Sequence, residues 1–188
     1  THSEGMDQSD HREAKEVFDI DELELVQALN GLNQGKDMGG FELDGTPDFT
    51  VGCTIGSFGD EAALDQELIA AQAKVEAGAR FIISPPVFDL EKFQSFMAKV
   101  KPLSVPVIPT VFLIKSLAIA QYIAASEPEA GISNELIRRI RKSSDRELEG
   151  IKIAGETLAG VREMAQGVML QTLGWEHKLV DILDAAGM

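Results

Sequence analysis

Four short stretches hold the residues best placed to do chemistry: Thr54–Gly59, Ser84–Phe88, Thr110–Ser116 and Thr172–Trp175. They carry one charged side chain, Lys115, together with Phe58, Phe88, Phe112 and Trp175. That mixture suits a flat aromatic ligand better than a phosphorylated sugar, although the same aromatics could simply close the mouth of a barrel. Metal chemistry has no ligand set, because His2, His11 and His177 share no spacing with one another or with Cys53. There is no Gly-x-Gly-x-x-Gly loop, Walker loop or Gly-x-Ser-x-Gly elbow, which removes support for nucleotide and serine hydrolases. Glu61, Glu67 and Glu76 read as a solvated helix face rather than an acid/base set. Cys53, the single cysteine, sits in an apolar run and reads as a small core residue.

The elements that would position those stretches centre on Val75–Asp89, VEAGARFIISPPVFD. Gly78 supplies a left-handed helix stop, and Phe81-Ile82-Ile83 is apolar on both faces, as a buried parallel strand should be. Pro85-Pro86 should then end the pairing. Upstream, Asp21 and Glu24 form a capping-box pattern before Leu25, Val26, Leu29 and Leu32, and Gly35 closes that helix. Residues 36–48 form a Gly- and Pro-bearing excursion.

Further strands are expected over Phe49–Thr54, Val105–Val111 and Val168–Leu173. Helices are expected from Glu61 to Ala77, from Asp89 to about Lys101, from Ser116 to Ala125, from Ser133 to Arg141, from Asp145 to Ala165, and from Trp175 to Ala186. Leu148, Ile151, Leu158 and Val161 should line the inner face of the Asp145–Ala165 helix. One helix followed by four strand-then-helix units demands a parallel α/β sheet. A complete eight-fold barrel needs about 250 residues, so this chain reads as a partial (β/α)8 TIM barrel: about four C-terminal β/α units with extra helices in a single domain, 1–188. An open four-stranded sheet is the alternative, and it would leave apolar edges bare.

A net charge of −14 and a pI near 4.6 argue against nucleic acid and anionic membranes as partners, since either surface would repel the chain. No run of about 18 apolar residues spans a bilayer, and the polar opening (residues 1–16) reads as a flexible loop rather than a secretory signal, which points to the cytoplasm. A homo-oligomer is compatible with these features.

Three blocks, AKEVFDID (Ala14–Asp21), the Val75–Asp89 stretch, and GVMLQTLGWEHKLVDILDAAG (Gly167–Gly187), together resemble the flavin-dependent methylenetetrahydrofolate reductase family. The resemblance covers nearly the whole chain and corresponds to the later part of that family's barrel. It implies FAD across the carboxyl face of the strands, NADH or NADPH as hydride donor, and reduction of 5,10-methylenetetrahydrofolate to 5-methyltetrahydrofolate in one-carbon metabolism. It also implies that the catalytic glutamate and an Arg-Gly-Asp type loop lie before Thr1, in a missing N-terminal half of the barrel. By position, Phe18, Thr54, Glu67 and Lys74 fall at cofactor contacts and Ser84 and Pro85 at the folate, while Gln121 and Gln171 in the adjoining units are the nearest candidates to supply the folate hydrogen bond that Pro85 cannot make. The chain departs from the pattern where Ser84-Pro85 replaces a Thr-Gln pair, Met169 replaces a histidine, Ala70 and Ala73 replace polar residues, and Ile55-Gly56 replaces a Tyr/Asn-Pro loop. The alternative reading is a non-catalytic barrel paralogue that serves as partner subunit or folate-binding protein.

Overall fold

A computed structural model describes residues 19–56, 58 and 61–188, apart from the side chain of Glu129. The expectations for residues 1–16 and for Phe18 lie outside the described residues. Helix α1 (Glu22–Asn33) starts as the sequence implies: the Asp21 carboxylate accepts from Glu24 N at 2.7 Å, and the Glu24 carboxylate accepts from Asp21 N at 2.8 Å. Each such cap is worth about 1 kcal/mol because it satisfies amides that the helix cannot. Asp89, Ser116, Ser133 and Asp145 cap α3 (Leu90–Val100), α4 (Leu117–Ser126), α5 (Asn134–Lys142) and α6 (Arg146–Arg162) by accepting from first-turn amides, without the reciprocal bond of α1. Helix α2 spans Glu61–Glu76 and ends at Gly78, with φ of +119°. The expected last helix opens as a single 3-10 turn, Glu176–Lys178, and continues as α7 (Leu179–Ala185).

The four strands, β1 (Cys53–Thr54), β2 (Ile82–Pro86), β3 (Val107–Phe112) and β4 (Met169–Gln171), form one parallel sheet in sequential order. That order carries the chain from one edge to the other without reversal, as the strands of an α/β barrel do and those of a doubly wound sheet do not. Alternation along the strands then divides the side chains between two faces. Cys53, Ile82, Val107, Val111 and Leu170 face a core built with Val26, Leu64, Phe93, Phe96, Ile151, Leu158, Val161 and Ile182. Thr54, Ile83, Ile108, Phe112 and Gln171 share the opposite face, where Met169 is 36% exposed.

Three details differ from the sequence reading. β1 is only two residues long, because the Asn33 side-chain amide captures both backbone groups of Phe49, each at 2.8 Å, and takes them away from the ladder. The Phe81 ring also lies across Gly52, where an added Cβ would stand 2.3 Å from it. Leu148 is 46% exposed, although Ile151, Leu158 and Val161 of the same helix are buried as expected. Finally, β2 does not stop at Ser84. It bulges between Ile83 and Pro86 and continues, because the Val87 amide donates to the Thr110 carbonyl at 2.9 Å in place of the donor that Pro86 lacks, and side chains add further bonds across the bulge. Thr110 N donates to Ser84 Oγ at 3.2 Å, Thr110 Oγ1 donates to the Ser84 carbonyl at 2.7 Å, and the Ser84 hydroxyl donates to the Pro85 carbonyl at 2.8 Å.

Candidate functional site at the carboxyl edge of the sheet

Parallel strands in sequential order bring the loops after β1, β2, β3 and β4 to one edge of the sheet. The aromatics there divide into three kinds. Phe58 is core: it is 6% exposed and packs on Phe96 and Phe93 with ring centroids 5.1 and 6.1 Å apart. Phe88 and Phe112, half-buried, meet edge to face at 6.2 Å and cap a small apolar cluster around Ile114 and Ile140. Trp175 is half-buried and carries the Lys115 ammonium 5.1 Å from its ring centre.

The loop after β4 is tied down around that pair. The Lys115 ammonium donates to the Leu173 carbonyl, crossing from the β3 loop to the β4 loop. Leu173 and Gly174 both have positive φ, +46° and +85°, which turns the loop sharply. The Glu176 carboxylate stabilises this turn by accepting from Gly174 N and from Thr172 Oγ1, both at 2.9 Å. Hydrogen bonds from the Glu176 and Gly174 backbone and the Thr172 hydroxyl hold its pKa below the usual carboxylate value. At the base of the β3 loop, Gly150 of α6 abuts the backbone of Ile114, so closely that a Cβ there would lie 2.2 Å from the Ile114 carbonyl oxygen. The helix therefore sets the height at which Lys115 leaves the strand.

The other expected site residues are scattered. Lys74 lies in the layer between helices and sheet, paired with the Glu22 carboxylate; its side chain is 10% exposed. Cys53 is close enough to feel both charges, and burial pushes its thiol pKa up, as befits a core residue rather than a nucleophile. Glu67 accepts from Gly56 N at 3.1 Å and so reaches the edge from α2. Thr54 and Gln171 share the less buried face of the sheet but stand on its two outer strands. Ser84 is 3% exposed and committed to the bulge, with Pro85 beside it half-buried. Gln121 is exposed on α4. Among the described residues no three of His, Cys, Asp and Glu could hold a metal ion, and no helix is long and apolar enough to cross a membrane.

Sequence reasoning missed two of these links. The Lys74–Glu22 pair joins residues 52 positions apart, and the Lys115–Leu173 contact joins residues 58 apart. No local pattern announces either one. The presence of a single cation among the four loops was the one usable signal for the second.

The profile of the methylenetetrahydrofolate reductase family matches residues 6–187, which is almost the full length. The chain belongs to that family. No curated protein matches it. Among solved structures, it is similar to a protein from Clostridium thermocellum described as binding two copies of 5-methyl-5,6,7,8-tetrahydrofolic acid, at 14% identity and a TM-score of 0.46. The similarity covers 65% of this reductase-family chain and 47% of that one, so it spans about half the neighbour's length.

A flavin dinucleotide requires cations or free backbone amides around its pyrophosphate. Of the described residues expected to hold it, Lys74 and Glu67 do not fit that need as they stand. Lys74 is neutralised by Glu22 and sunk behind the sheet, and Glu67 is an acid already bonded to a backbone amide.

Proposed function

We propose that this chain is the C-terminal half of a methylenetetrahydrofolate reductase-type barrel and that it handles a reduced folate at the carboxyl edge of its sheet. The observation that carries this reading is the sequential parallel order of the four strands, which assembles the Phe88–Phe112 pair, Lys115 and Trp175 on one edge. Ligands of α/β barrels bind at that edge. With four further strands completing the barrel and supplying the contacts to the flavin's pyrophosphate that Lys74 and Glu67 do not offer, the activity it serves is the reduction of 5,10-methylenetetrahydrofolate to 5-methyltetrahydrofolate, with FAD and NADH or NADPH. Within that reaction this chain's residues bind and orient. The aromatic rings flank a flat ligand, the folded-back loop after β4 shields it from water, and Lys115 offers a proton-bearing cation at its anionic end.

A second reading, a folate-binding partner subunit without reductase activity of its own, is favoured by the Lys74–Glu22 pair and by Pro85, which offers neither a side-chain amide nor a backbone donor where the family pattern has glutamine. Calorimetric titration of the chain with 5-methyltetrahydrofolate tests the shared part of both readings: saturable binding is expected, and its absence would remove the folate assignment. Measuring bound flavin and nicotinamide-dependent folate reduction in the completed barrel separates the two. Turnover favours the reductase, and folate binding without turnover favours the partner subunit.

A further inference from the structure

We propose that the chain pairs with a second copy of itself about a two-fold axis over α6, the cationic outer face of α5 from each copy lying in the groove between α6 and α7 of the other. Five of the chain's 17 lysines and arginines fall within residues 138–146, although the chain as a whole carries a net charge of −14. Arg139 is spent within the copy, bonded to Glu149 and to both carboxylate oxygens of Glu156. Arg138, Arg141 and Lys142 stand at i, i+3 and i+4 on the exposed face of α5, while Leu136, Ile137 and Ile140 turn inward. The helix dipole accounts for cations in the last turn of α5. It does not account for Arg146, exposed at the first residue of α6, where the dipole opposes a positive charge.

The groove supplies the matching surface. It has a volume of about 510 Å³, an apolar lining of Leu148, Ile151 and Ala185, and acids from both helices. Lys178 answers Glu147 at 2.6 Å and lies 3.7 Å from Asp181, while Asp184 forms no ion pair among the described residues. Leu148 is 46% exposed here, against the inward position that the period of α6 implies, and a helix laid in the groove covers it. Surfaces of opposite sign on adjoining helices of one copy make a self-complementary patch, which is what a closed two-fold pair requires. The Arg139–Glu156 bonds fix their spacing, because Glu156 lines the groove and Arg139 belongs to the helix that carries the cations. A polyanion would meet those cations and be repelled by the acids beside them, whereas a second copy meets both with opposite charge.

Sedimentation of the full chain is expected to show a dimer. Arg138→Glu with Arg141→Glu in one variant, and Asp181→Lys with Asp184→Lys in another, should each weaken it about tenfold or more, since like charges then face each other. An equimolar mixture of the two variants should dimerise again, because the reversed helix face meets the reversed groove and the native face the native groove. Arg141→Gln and Asp184→Asn, which reverse no charge, should each weaken the dimer by a smaller factor, and they test the same contacts where a reversal disturbs folding, as melting followed by circular dichroism reports. A monomeric unsubstituted chain overturns the pairing, as does a mixture of folded variants that stays monomeric. Dimers that survive in both variants alone also overturn it and assign the association to the open sheet edges. Retention of a monomeric chain on heparin, lost on Arg138→Glu with Arg141→Glu, overturns it too and gives the cations of α5 to a polyanion.

Discussion

Two lysines of this chain, one behind the sheet and one at its carboxyl edge, solve the same problem differently. Lys74 sits behind the sheet, about nine-tenths buried, and its charge is met by the Glu22 carboxylate from α1. Lys115 stands at the carboxyl edge with a carbonyl and an indole face for company. A buried ammonium needs an opposite charge because desolvation would otherwise cost several kcal/mol, so Lys74 is a structural clamp between α1 and α2. A half-exposed ammonium can be left with weak partners, and that leaves it available. Placement behind or at the edge of the sheet, rather than residue type, decides which basic group can serve a ligand.

The strongest way to break the contrast is Glu22→Gln, which leaves Lys74 charged and unpaired in the interior. A loss of about 3 kcal/mol in urea unfolding is expected, near the low end for a broken buried pair because Glu22 is itself a quarter exposed. A loss below about 1 kcal/mol would mean that water reaches Lys74 and that the two lysines do not differ in kind.

Gly150→Ala is expected to cost about 2 kcal/mol, since the new methyl meets the Ile114 backbone, which cannot swing aside as a side chain can. Because that contact fixes where Lys115 emerges, the fluorescence of Trp175 should shift along with stability. Lost stability with an unchanged Trp175 signal would uncouple α6 from the edge.

Arg139 on α5 gives an intermediate case, bridging Glu149 and Glu156 of α6 at partial exposure. Its hydrogen bonds hold the Glu156 pKa below the usual 4.5. The sign follows: between the lowered folded value and the ordinary unfolded one, the unfolded chain binds more protons, so this pair stabilises above about pH 4.5 and its contribution fades as pH falls through the folded value. Glu156→Gln should flatten that acid limb by under about 1 kcal/mol, as its exposure implies. An unchanged limb would assign acid sensitivity elsewhere.

The smallest effect is expected for Lys115→Met, about 0.5 kcal/mol or less in stability, in keeping with a half-exposed cation over an aromatic ring. A loss comparable to that of Glu22→Gln would recast Lys115 as a second clamp.

The helices were legible because their signals are local. Asp21 with Glu24, Asp89, Ser116, Ser133 and Asp145 all cap where their side chains predict, and Gly78 ends α2 with the positive φ that favours glycine. The parallel sheet followed from the alternation of elements. What escaped depends on partners distant in the chain: Asn33 taking the backbone of Phe49, Phe81 folding over Gly52, and Thr110 rescuing Ser84. Of the residues expected at the site, Glu67 does reach the edge, whereas Lys74 has a partner that sequence could not supply. The aromatic loops were read with two outcomes open, and the structure divides them: Phe58 belongs to the core, while Trp175 stays partly accessible.

The proline-bearing bulge on β2 also limits how the sheet can mispair. Pro85, Pro86 and Pro109 have no amide hydrogen, so sliding β2 along β3 by a residue or two would place a proline where a ladder donor is required, without the bulge that here lets the Val87 amide donate instead. Ser84 and Thr110 match in one alignment alone. The pair therefore acts as an indexing pin for assembly of the sheet: strands that come together out of step forgo the Ser84–Thr110 bonds, so the register that carries them also sets the height of the loops at the edge.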